Sequence, residues 1–282
     1  MFYGGVWVRN EEWAPPGVDP TRPSVARVYD YMLGGKDNFA VDRQTAAAAL
    51  KVTPDGFEAA RWSRVFLRRA VRFLAAEAGI DQFLDLGSGL PTRGNVHEVA
   101  GEVNPATRVV YVDSDPMVLA HGRALLANAR TTTVKQADAR RPDDILGCPS
   151  VHRFIDFSRP VGLLMFGILH HMNDDEHPEQ IAARYRDAVP SGSYLAISHF
   201  YNAGDEHPEA SAKSLEVEKI FIESLGTGRF RTHQEILEYF GDFELVEPGL
   251  VPFPEWRPGS GDEPYEQADI YYTLVGGVAR KP

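Results

Sequence analysis

Two apolar runs, each carrying acids at or near its end, are the feature that most constrains how this chain folds. Residues 82–89 read QFLDLGSG, and residues 109–115 read VVYVDSD. In nucleotide-binding α/β domains, glycines after the first strand let the backbone approach a ligand, and an acid after the second strand accepts hydrogen bonds from a ribose. The two runs together predict a site for a cofactor that carries adenosine.

Strands and helices alternate through the rest of this region. The sequence predicts strands at 82–86, 108–112, 131–136, 161–167 and 193–199, and helices between them at 92–103, 116–129, 141–147 and 176–189. Such alternation is typical of a mostly parallel sheet covered on both faces. Helices at 212–224 and 232–240 follow, and then strands at 243–247 and 270–275, joined by a Pro/Gly-rich loop at 248–264. We expect these last strands to form an antiparallel hairpin added to the sheet.

The residues before this region predict three helices. The first begins near Pro23 and stops at Gly34-Gly35, the second follows Asp42 as its N-cap, and the third runs over 57–78 and stops at Gly79. We therefore divide the chain into an irregular arm at 1–22, a helical lid or cap at 23–79, and an α/β domain at 80–282.

Composition excludes several classes of partner. The chain has 282 residues, with 40 acidic against 29 basic side chains and a net charge of −11, so we expect no nucleic-acid partner. Its single cysteine, Cys148, cannot form an internal disulfide and suits a reducing compartment. The most apolar stretch, at 161–169, is too short to cross a bilayer, and no signal peptide is evident. We expect a cytoplasmic protein without a membrane partner.

The glycine loop favours S-adenosylmethionine over a dinucleotide. Thr92 stands where a dinucleotide fold requires a third glycine beneath the pyrophosphate, a group that S-adenosylmethionine lacks. Asp85 is placed for the cofactor's amino group, Asp113 for the ribose hydroxyls and Asp138 for the adenine amino group. Each of these acids could instead cap a turn or a helix. Three acids after three successive strands favour the binding interpretation.

Three segments of the chain resemble a known family. Residues 26–39 (ARVYDYMLGGKDNF), 83–92 (FLDLGSGLPT) and 111–113 (YVD) are similar to class I S-adenosylmethionine-dependent methyltransferases. The closest resemblance is to a bacterial group of S-adenosyl methyltransferases of undefined substrate. It implies a Rossmann-like, mostly parallel seven-stranded sheet with an antiparallel C-terminal strand. Pro91 replaces the usual third glycine of the superfamily loop, as is typical of the narrower group.

The predicted cofactor site gathers residues from several loops. Phe166 and Gly167 follow the fourth strand, where they would contact the adenosine or the sulfonium. Arg61 or Arg64 would pair with the cofactor carboxylate, and Arg64 is the one we select. The full set is Arg64, Asp85, Gly87, Ser88, Gly89, Asp113, Ser114, Asp138, Ala139, Phe166 and Gly167.

Three histidines are candidates for a catalytic base. His170 and His171 lie in the loop after the fourth strand, and His199 closes the fifth. The alternative is that they only satisfy backbone groups in these loops. A metal site built from His170, His171, Asp174, Asp175 and His177 is disfavoured, because adjacent residues rarely present both imidazoles to one ion. We expect no metal.

The first resembling segment also carries polar and aromatic residues that a plain surface helix does not need. Tyr29, Tyr31, Lys36, Asn38 and Phe39 are predicted to form a lid over the cofactor and the acceptor. The alternative is that this segment only packs.

The predicted function is methyl transfer from S-adenosylmethionine to a small molecule. A non-catalytic sensor or scaffold that binds the same cofactor is the main alternative. A nicotinamide-dependent oxidoreductase is disfavoured by Thr92 and by the lack of a Tyr-x-x-x-Lys pair. Whether the chain forms a homodimer is left open.

Overall fold

The computed structural model describes residues 14–92, 94–125, 130–259 and 269–282, and its centre is an eight-stranded sheet. The strand order is β3-β2-β1-β4-β5-β8-β6, and β7 pairs with β8 beside this path. Strands β1 to β5 are parallel, whereas β8 runs antiparallel to β5, β6 and β7. The strands are β1 (Gln82–Leu86), β2 (Arg108–Asp113), β3 (Thr132–Gln136), β4 (Gly162–Phe166), β5 (Tyr194–Phe200), β6 (Glu244–Leu245), β7 (Val251–Pro252) and β8 (Leu274–Arg280).

Helices precede the sheet and connect its strands. They are α1 (Val25–Met32), α2 (Ala40–Val52), α3 (Gly56–Ala76), α4 (Val96–Val103), α5 (Pro116–Leu125), α6 (Pro142–Leu146), α7 (Pro149–His152), α8 (Pro178–Asp187), α9 (Pro208–Leu225) and α10 (His233–Glu238). Short 3-10 helices lie at Leu169–His171, Asp174–Glu176, Gly204–Glu206, Phe253–Glu255 and Asp269–Thr273. No helix within the described ranges is long and apolar enough to span a membrane.

The period of two in the strands builds a core on each face of the sheet. Leu84 and Leu86 of β1 point into one hydrophobic cluster, and Phe83 points into the other. Helix α3 covers the second face through Phe66 and Leu74, which are fully buried. Because β1 is buried on both faces and paired on both edges, it is the rigid centre of the fold.

The strand order reverses at β1. The chain moves outward from β1 to β2 and β3 and then returns to pair β4 with the other edge of β1. At such a switch point the loops after the strands separate and leave a crevice, which is where open α/β sheets bind ligands. The acids predicted from the sequence lie at this end of the sheet: Asp85 is in β1, Asp113 ends β2 and Asp138 follows β3.

The predicted class of fold is confirmed, with local corrections, of which the first is that the sheet has eight strands rather than seven. Asp42 is not the N-cap of the second helix: α2 begins at Ala40 after Phe39, and Asp42 is its third residue, whose carboxylate accepts the Phe39 N–H at 2.7 Å and so caps the helix from within its first turn. The strand predicted at 270–275 lies at Leu274–Arg280, because a 3-10 helix occupies Asp269–Thr273. The predicted loop at 248–264 contains β7. Residues 1–13 of the arm, 126–129 of the helix predicted at 116–129 and 260–264 of the loop lie outside the described residues.

Candidate functional site

A cavity of about 650 Å³ lies at the carboxyl ends of the parallel strands. Its volume falls within the roughly 300–1,000 Å³ range of small-molecule sites. The loops after β1, β2, β3 and β4 contribute to its lining, as do β5, α3, α9 and the segment before α3. All eleven residues predicted for the cofactor line it: Arg64, Asp85, Gly87, Ser88, Gly89, Asp113, Ser114, Asp138, Ala139, Phe166 and Gly167.

The loop after β1 makes a tight turn against β2. The backbone N–H groups of Gly87 and Ser88 both donate to the carbonyl of Val112, at 2.8 and 3.1 Å. Gly87 has φ +74°, and a Cβ atom there would lie 2.6 Å from the Ile168 side chain. Gly89 has φ +67°, and a Cβ there would meet nothing within 4 Å. Gly87 is therefore required by protein packing, while Gly89 borders open space in the cavity.

Asp113 holds this turn in place. One of its carboxylate oxygens accepts the Gly89 N–H at 2.8 Å, and the other accepts the Asp115 N–H at 2.9 Å. Burial raises the pKa of Asp113 to about 6, although both hydrogen bonds oppose the shift. The carboxylate is thus fixed at the end of β2, beside the glycine loop.

Ionisation of Asp85 costs more free energy than ionisation of Asp113, because the pKa of Asp85 is raised further. Its side chain is buried within β1, and burial raises its pKa to about 7, while the nearby positive charge of Arg64 opposes the rise. Arg64 lies on α3 and donates to the carbonyl of Gly94 at 2.8 Å. A buried carboxyl with a raised pKa in a cavity is the kind of group that a cationic ligand would favour in its ionised form.

Asp138 is held by an arginine that the sequence pattern does not single out. The Arg140 guanidinium donates to both Asp138 oxygens at 2.9 and 2.8 Å, and also to Glu176 at 2.6 Å. Burial raises the pKa of Asp138, but the Arg140 hydrogen bonds outweigh it and lower the pKa below its usual value. Asp138, Arg140 and Glu176 all line the cavity, so the cavity wall next to β3 consists of charged side chains that are held by ion pairs.

His170 and His171 both line the cavity but differ in the hydrogen bonding of their rings. The Nδ1 atom of His170 accepts the Phe200 N–H at 3.1 Å, so its proton resides on Nε2 and the ring is a donor. His171 has a buried Nδ1 with no hydrogen-bond partner among the described residues. Burial lowers the pKa of His171 to about 4, which keeps its ring neutral near pH 7. The Phe200 N–H thus sets the tautomer of His170, whereas no hydrogen bond from the described residues at Nδ1 sets that of His171.

The structure places His199 outside the cavity lining. It is fully buried, its Nδ1 donates to the Phe200 carbonyl at 2.6 Å, and its Nε2 accepts from Arg231 at 3.3 Å. Both ring nitrogens are occupied, and burial lowers its pKa to about 3. His199 is thus engaged in structure, because neither nitrogen is available to a ligand.

Arg231 is the partner that sequence reasoning missed. It is buried and donates to the carbonyls of Leu169 and Met172 at 3.1 and 2.8 Å, and to Asp174 at 2.7 Å. These contacts fix the loop that carries His170 and His171. No local motif marks Arg231, since its partners lie about 60 residues earlier in the chain.

The predicted lid residues separate into two groups. Tyr29 lines the cavity, whereas Tyr31, Lys36, Asn38 and Phe39 lie outside its lining. Tyr31 packs on Phe57, with ring centroids 6.1 Å apart, and Phe39 packs in a small apolar cluster with Leu90, Met117 and Val118.

Asp30 organises the turn after α1. Its carboxylate accepts from the Asp37 N–H at 2.9 Å and from the Asn38 amide at 2.8 Å. A Cβ atom on Gly35 would lie 2.0 Å from an Asp30 oxygen, so the second glycine of the Gly34-Gly35 pair permits a close approach. Most of the distinctive residues of this segment therefore shape the segment itself rather than the cavity.

Comparison with known proteins agrees with this geometry. The family described as S-adenosyl methyltransferase matches residues 11–282, and the chain belongs to that family. A provisionally named methyltransferase from Thermobifida fusca YX is 49% identical, with a TM-score of 0.88 over 96% of this chain and 99% of its own. A DUF574 family protein from Streptomyces avermitilis MA-4680 is 38% identical, with a TM-score of 0.87 over 94% and 99%. No curated protein matches the chain.

S-adenosylmethionine is the cofactor of this family, and the residues present fit it. The Ser88 hydroxyl is buried without a hydrogen-bond partner among the described residues, next to open space at Gly89. Asp85 and Asp113 are acids whose charge is costly without a ligand. Within the same ranges, no group of three or more His, Cys, Asp or Glu side chains is placed to hold a metal ion.

Proposed function

We propose that this protein transfers the methyl group of S-adenosylmethionine to a small-molecule acceptor. The observation that carries the proposal is the continuity of the cavity: it joins the acids at the carboxyl ends of β1, β2 and β3 to the loop that carries His171. Binding and chemistry thus share one enclosed space. When bound, the cofactor supplies an electrophilic methyl group on a sulfonium.

In this proposal the acids have separate roles in cofactor binding. Asp113 accepts hydrogen bonds from the ribose hydroxyls, since it ends β2 beside the glycine loop. Asp85 faces the amino group, and Arg64 pairs with the carboxylate. Asp138 accepts from the adenine amino group, with Ser114 and Ala139 beside it. Charge-assisted hydrogen bonds of this kind contribute roughly 1.5–3 kcal/mol each.

His171 is the residue we propose as the proton acceptor. Its ring is neutral near pH 7 and lines the cavity, and Arg231 fixes its loop. Displacement at a methyl carbon depends on alignment and exclusion of water more than on a strong base. A neutral imidazole therefore suffices to take a proton as it leaves the acceptor. His170, as an Nε2 donor, orients rather than deprotonates.

The segment before α3 closes the site in this account. Residues 14–52, which we call the N-terminal cover, comprise α1, α2 and the chain before them. Gly17, Ser24, Arg27 and Tyr29 of the cover line the cavity, and Ser24 donates to Asp115 at 2.5 Å. We propose that the cover excludes water from the transferring methyl group, as lids do in other enzymes. Helix α3, by contrast, belongs to the core of the α/β domain.

The proposed function is tested by incubating the full chain with methyl-labelled S-adenosylmethionine and a metabolite extract. We expect label in a new small molecule, and loss of that product in the His171→Gln variant at unchanged cofactor affinity. Binding of S-adenosylhomocysteine without transfer to any extract would favour the sensor or scaffold. Label in protein or nucleic acid instead would contradict a small-molecule acceptor.

A further inference from the structure

The part of the cavity over β4, β5 and β8 differs in chemistry from the part over β1 to β3. We call it the acceptor wall and define it by cavity-lining side chains from β4, β5, α9, the loop after α9, the 3-10 helix Phe253–Glu255 and residues 270–274. Its residues that the structure describes carry no charge: Phe166, Ser198, Phe200, Ser214, Val217, Phe221, Leu225, Thr227, Phe230, Phe253, Ile270, Thr273 and Leu274. His170 and His171 complete it, and both are neutral because burial lowers their pKa.

The charged residues of the lining lie elsewhere. They lie at the carboxyl ends of β1, β2 and β3 or belong to α3, the N-terminal cover and the loop before α8: Asp19, Arg22, Arg27, Arg64, Asp85, Asp113, Asp115, Asp138, Arg140 and Glu176. Several are already paired with each other, as Arg140 is with Asp138 and Glu176. The cavity is thus divided into a charged cofactor part and an uncharged acceptor part.

Aromatic rings dominate the acceptor wall. The rings of His170 and Phe200 are stacked with centroids 3.6 Å apart and planes 5° apart. The rings of Phe230 and Phe221 also stack on Phe200, with centroids 4.7 and 6.0 Å from its centroid and planes 16° and 22° from its plane. This stack gives the wall a rigid, polarizable surface that favours apolar ring compounds.

We propose that the acceptor is an uncharged, largely apolar ring compound. The proposal rests on the proposed function and names the substrate class of the same site. Among the described residues of the acceptor wall, a carboxylate would find no cation and an alkylammonium would find no anion. An unpaired buried charge costs several kcal/mol, so both classes are disfavoured by the same wall.

The proton and electron balance of this proposal is complete without another reagent. For an acceptor whose nucleophile is a hydroxyl group, the acceptor oxygen forms the new bond to the methyl carbon, and the carbon–sulfur bond breaks with its electron pair on sulfur. The hydroxyl proton passes to the His171 ring and then to solvent. The wall needs no carboxylate because the acceptor enters neutral and leaves as a neutral ether.

Three probes with one ring system test the proposal by binding alone. Fluorescence titration of the full chain, with and without S-adenosylhomocysteine, compares 2-naphthol, 2-naphthoate and 2-(aminomethyl)naphthalene. We expect 2-naphthol to bind at least about ten-fold more tightly than either charged probe. Tighter or equal binding of a charged probe overturns the proposal, and so does binding of none of the three by protein that binds S-adenosylhomocysteine.

The same titration separates this proposal from the proposed function. Failure of S-adenosylhomocysteine to bind would contradict the function, while the order of the three probes on the ligand-free chain still decides the substrate class. Thr227→Asp places a carboxylate in the acceptor wall and should shift the preference about ten-fold toward the ammonium probe. Leu215→Asp is the matched control on α9, since Leu215 is 52% exposed. An equal shift in the control, or none in Thr227→Asp, overturns the proposal.

Discussion

Arg27 and Asp42 form an ion pair 2.9 Å long whose two side chains are 4% and 0% exposed. Asp42 also accepts hydrogen bonds from the backbone N–H groups of Ser24 and Phe39, at 2.9 and 2.7 Å. One buried carboxylate thus joins the start and first turn of α1 to the start of α2. The N-terminal cover is built around this pair, and removal of residues 1–40 would leave Asp42 buried without Arg27.

The cover should respond to the cofactor. Ser24→Ala removes the hydrogen bond to Asp115, which is the cover's link to the loop after β2. We expect faster trypsin cleavage near Arg27, Lys36 and Arg43 in this variant, because cleavage requires local opening. Saturating S-adenosylhomocysteine should slow cleavage of the wild-type chain.

Ser158→Ala is the matched control, since it also removes a serine–aspartate hydrogen bond, to Asp156, outside the cavity lining. Its cleavage pattern should equal that of the wild type. Equal cleavage rates with and without S-adenosylhomocysteine would show that the N-terminal cover does not respond to the cofactor and serves only in packing.

Two glycines of the same loop should behave differently when replaced. Gly87→Ala introduces a Cβ 2.6 Å from Ile168 at φ +74°, so we expect a loss of unfolding free energy of about 2–4 kcal/mol. In Gly89→Ala the new Cβ meets no protein atom, so we expect the unfolding free energy to fall by only about 1 kcal/mol, because of the positive φ. We expect the loss of binding free energy for S-adenosylhomocysteine to exceed this loss of stability.

Gly79→Ala is the control for backbone strain. Gly79 has φ +70°, a Cβ atom there would meet nothing within 4 Å, and the residue lies outside the cavity lining. Thermal melting and calorimetry on the three variants separate stability from binding. A Gly89→Ala variant that binds as tightly as Gly79→Ala would show that the glycine loop does not approach the ligand.

Asp85 should destabilise the ligand-free protein as pH rises. Its pKa is about 7 in the folded chain and 3.8 in the reference state, so the folded chain binds more protons between these values. Stability contributed by this group is therefore present below about pH 3.8 and is lost as pH rises to about 7. We expect Asp85→Asn to raise the unfolding free energy by about 1–2 kcal/mol at pH 8 and to change it little at pH 4.

The same substitution should weaken S-adenosylhomocysteine binding. Urea unfolding at the two pH values and calorimetry at pH 8 provide the two measurements. A stability difference that does not depend on pH would show that the ionisation of Asp85 is not the cause. Glu244→Gln, an exposed acid in β6, is a control expected to alter neither quantity.

Arg231 should act as a positioning residue. Arg231→Met leaves the Met172 carbonyl without its Arg231 donor and leaves the Leu169 carbonyl with the Met172 N–H alone, and we expect a loss of about 2–4 kcal/mol in unfolding free energy. Methyl transfer should fall further than cofactor affinity, because the loop carrying His171 is released. Arg184→Met removes an exposed ion pair with Asp143 and should cost less than about 1 kcal/mol. Equal effects of the two substitutions would refute the role of Arg231.

The sequence predicts the strands of this fold well because their signal is local. Buried strands such as β1 and β4 are short apolar runs bounded by glycine or proline, and the acids at the carboxyl ends of β1, β2 and β3 follow from the strands themselves. The predicted position of β8 is too early in the chain, because Tyr271 and Tyr272 have strand propensity but lie in a 3-10 helix. Here tertiary contacts override the local preference.

Side-chain partners are less predictable than strands. Asp42 has the sequence of an N-cap but pairs with Arg27, fifteen residues earlier, and His199 has the position of a catalytic group but binds Arg231. Each pairing depends on contacts between separate elements, which no periodicity records. The division of the cavity into charged and uncharged parts also emerges only when α9 and β8 meet the parallel strands.

Binding of S-adenosylhomocysteine by the full chain, measured by calorimetry beside NAD, tests the central claim most directly. We predict one binding site for S-adenosylhomocysteine and none for NAD. Asp113→Ala should weaken binding by about 1.5–3 kcal/mol in a folded variant. Asp156→Ala is the matched control: Asp156 also accepts a backbone N–H two residues later, that of Ser158, and it lies outside the cavity lining. This variant should bind S-adenosylhomocysteine as the wild type does. Absence of binding to the wild type, or unchanged affinity in folded Asp113→Ala, would contradict the account.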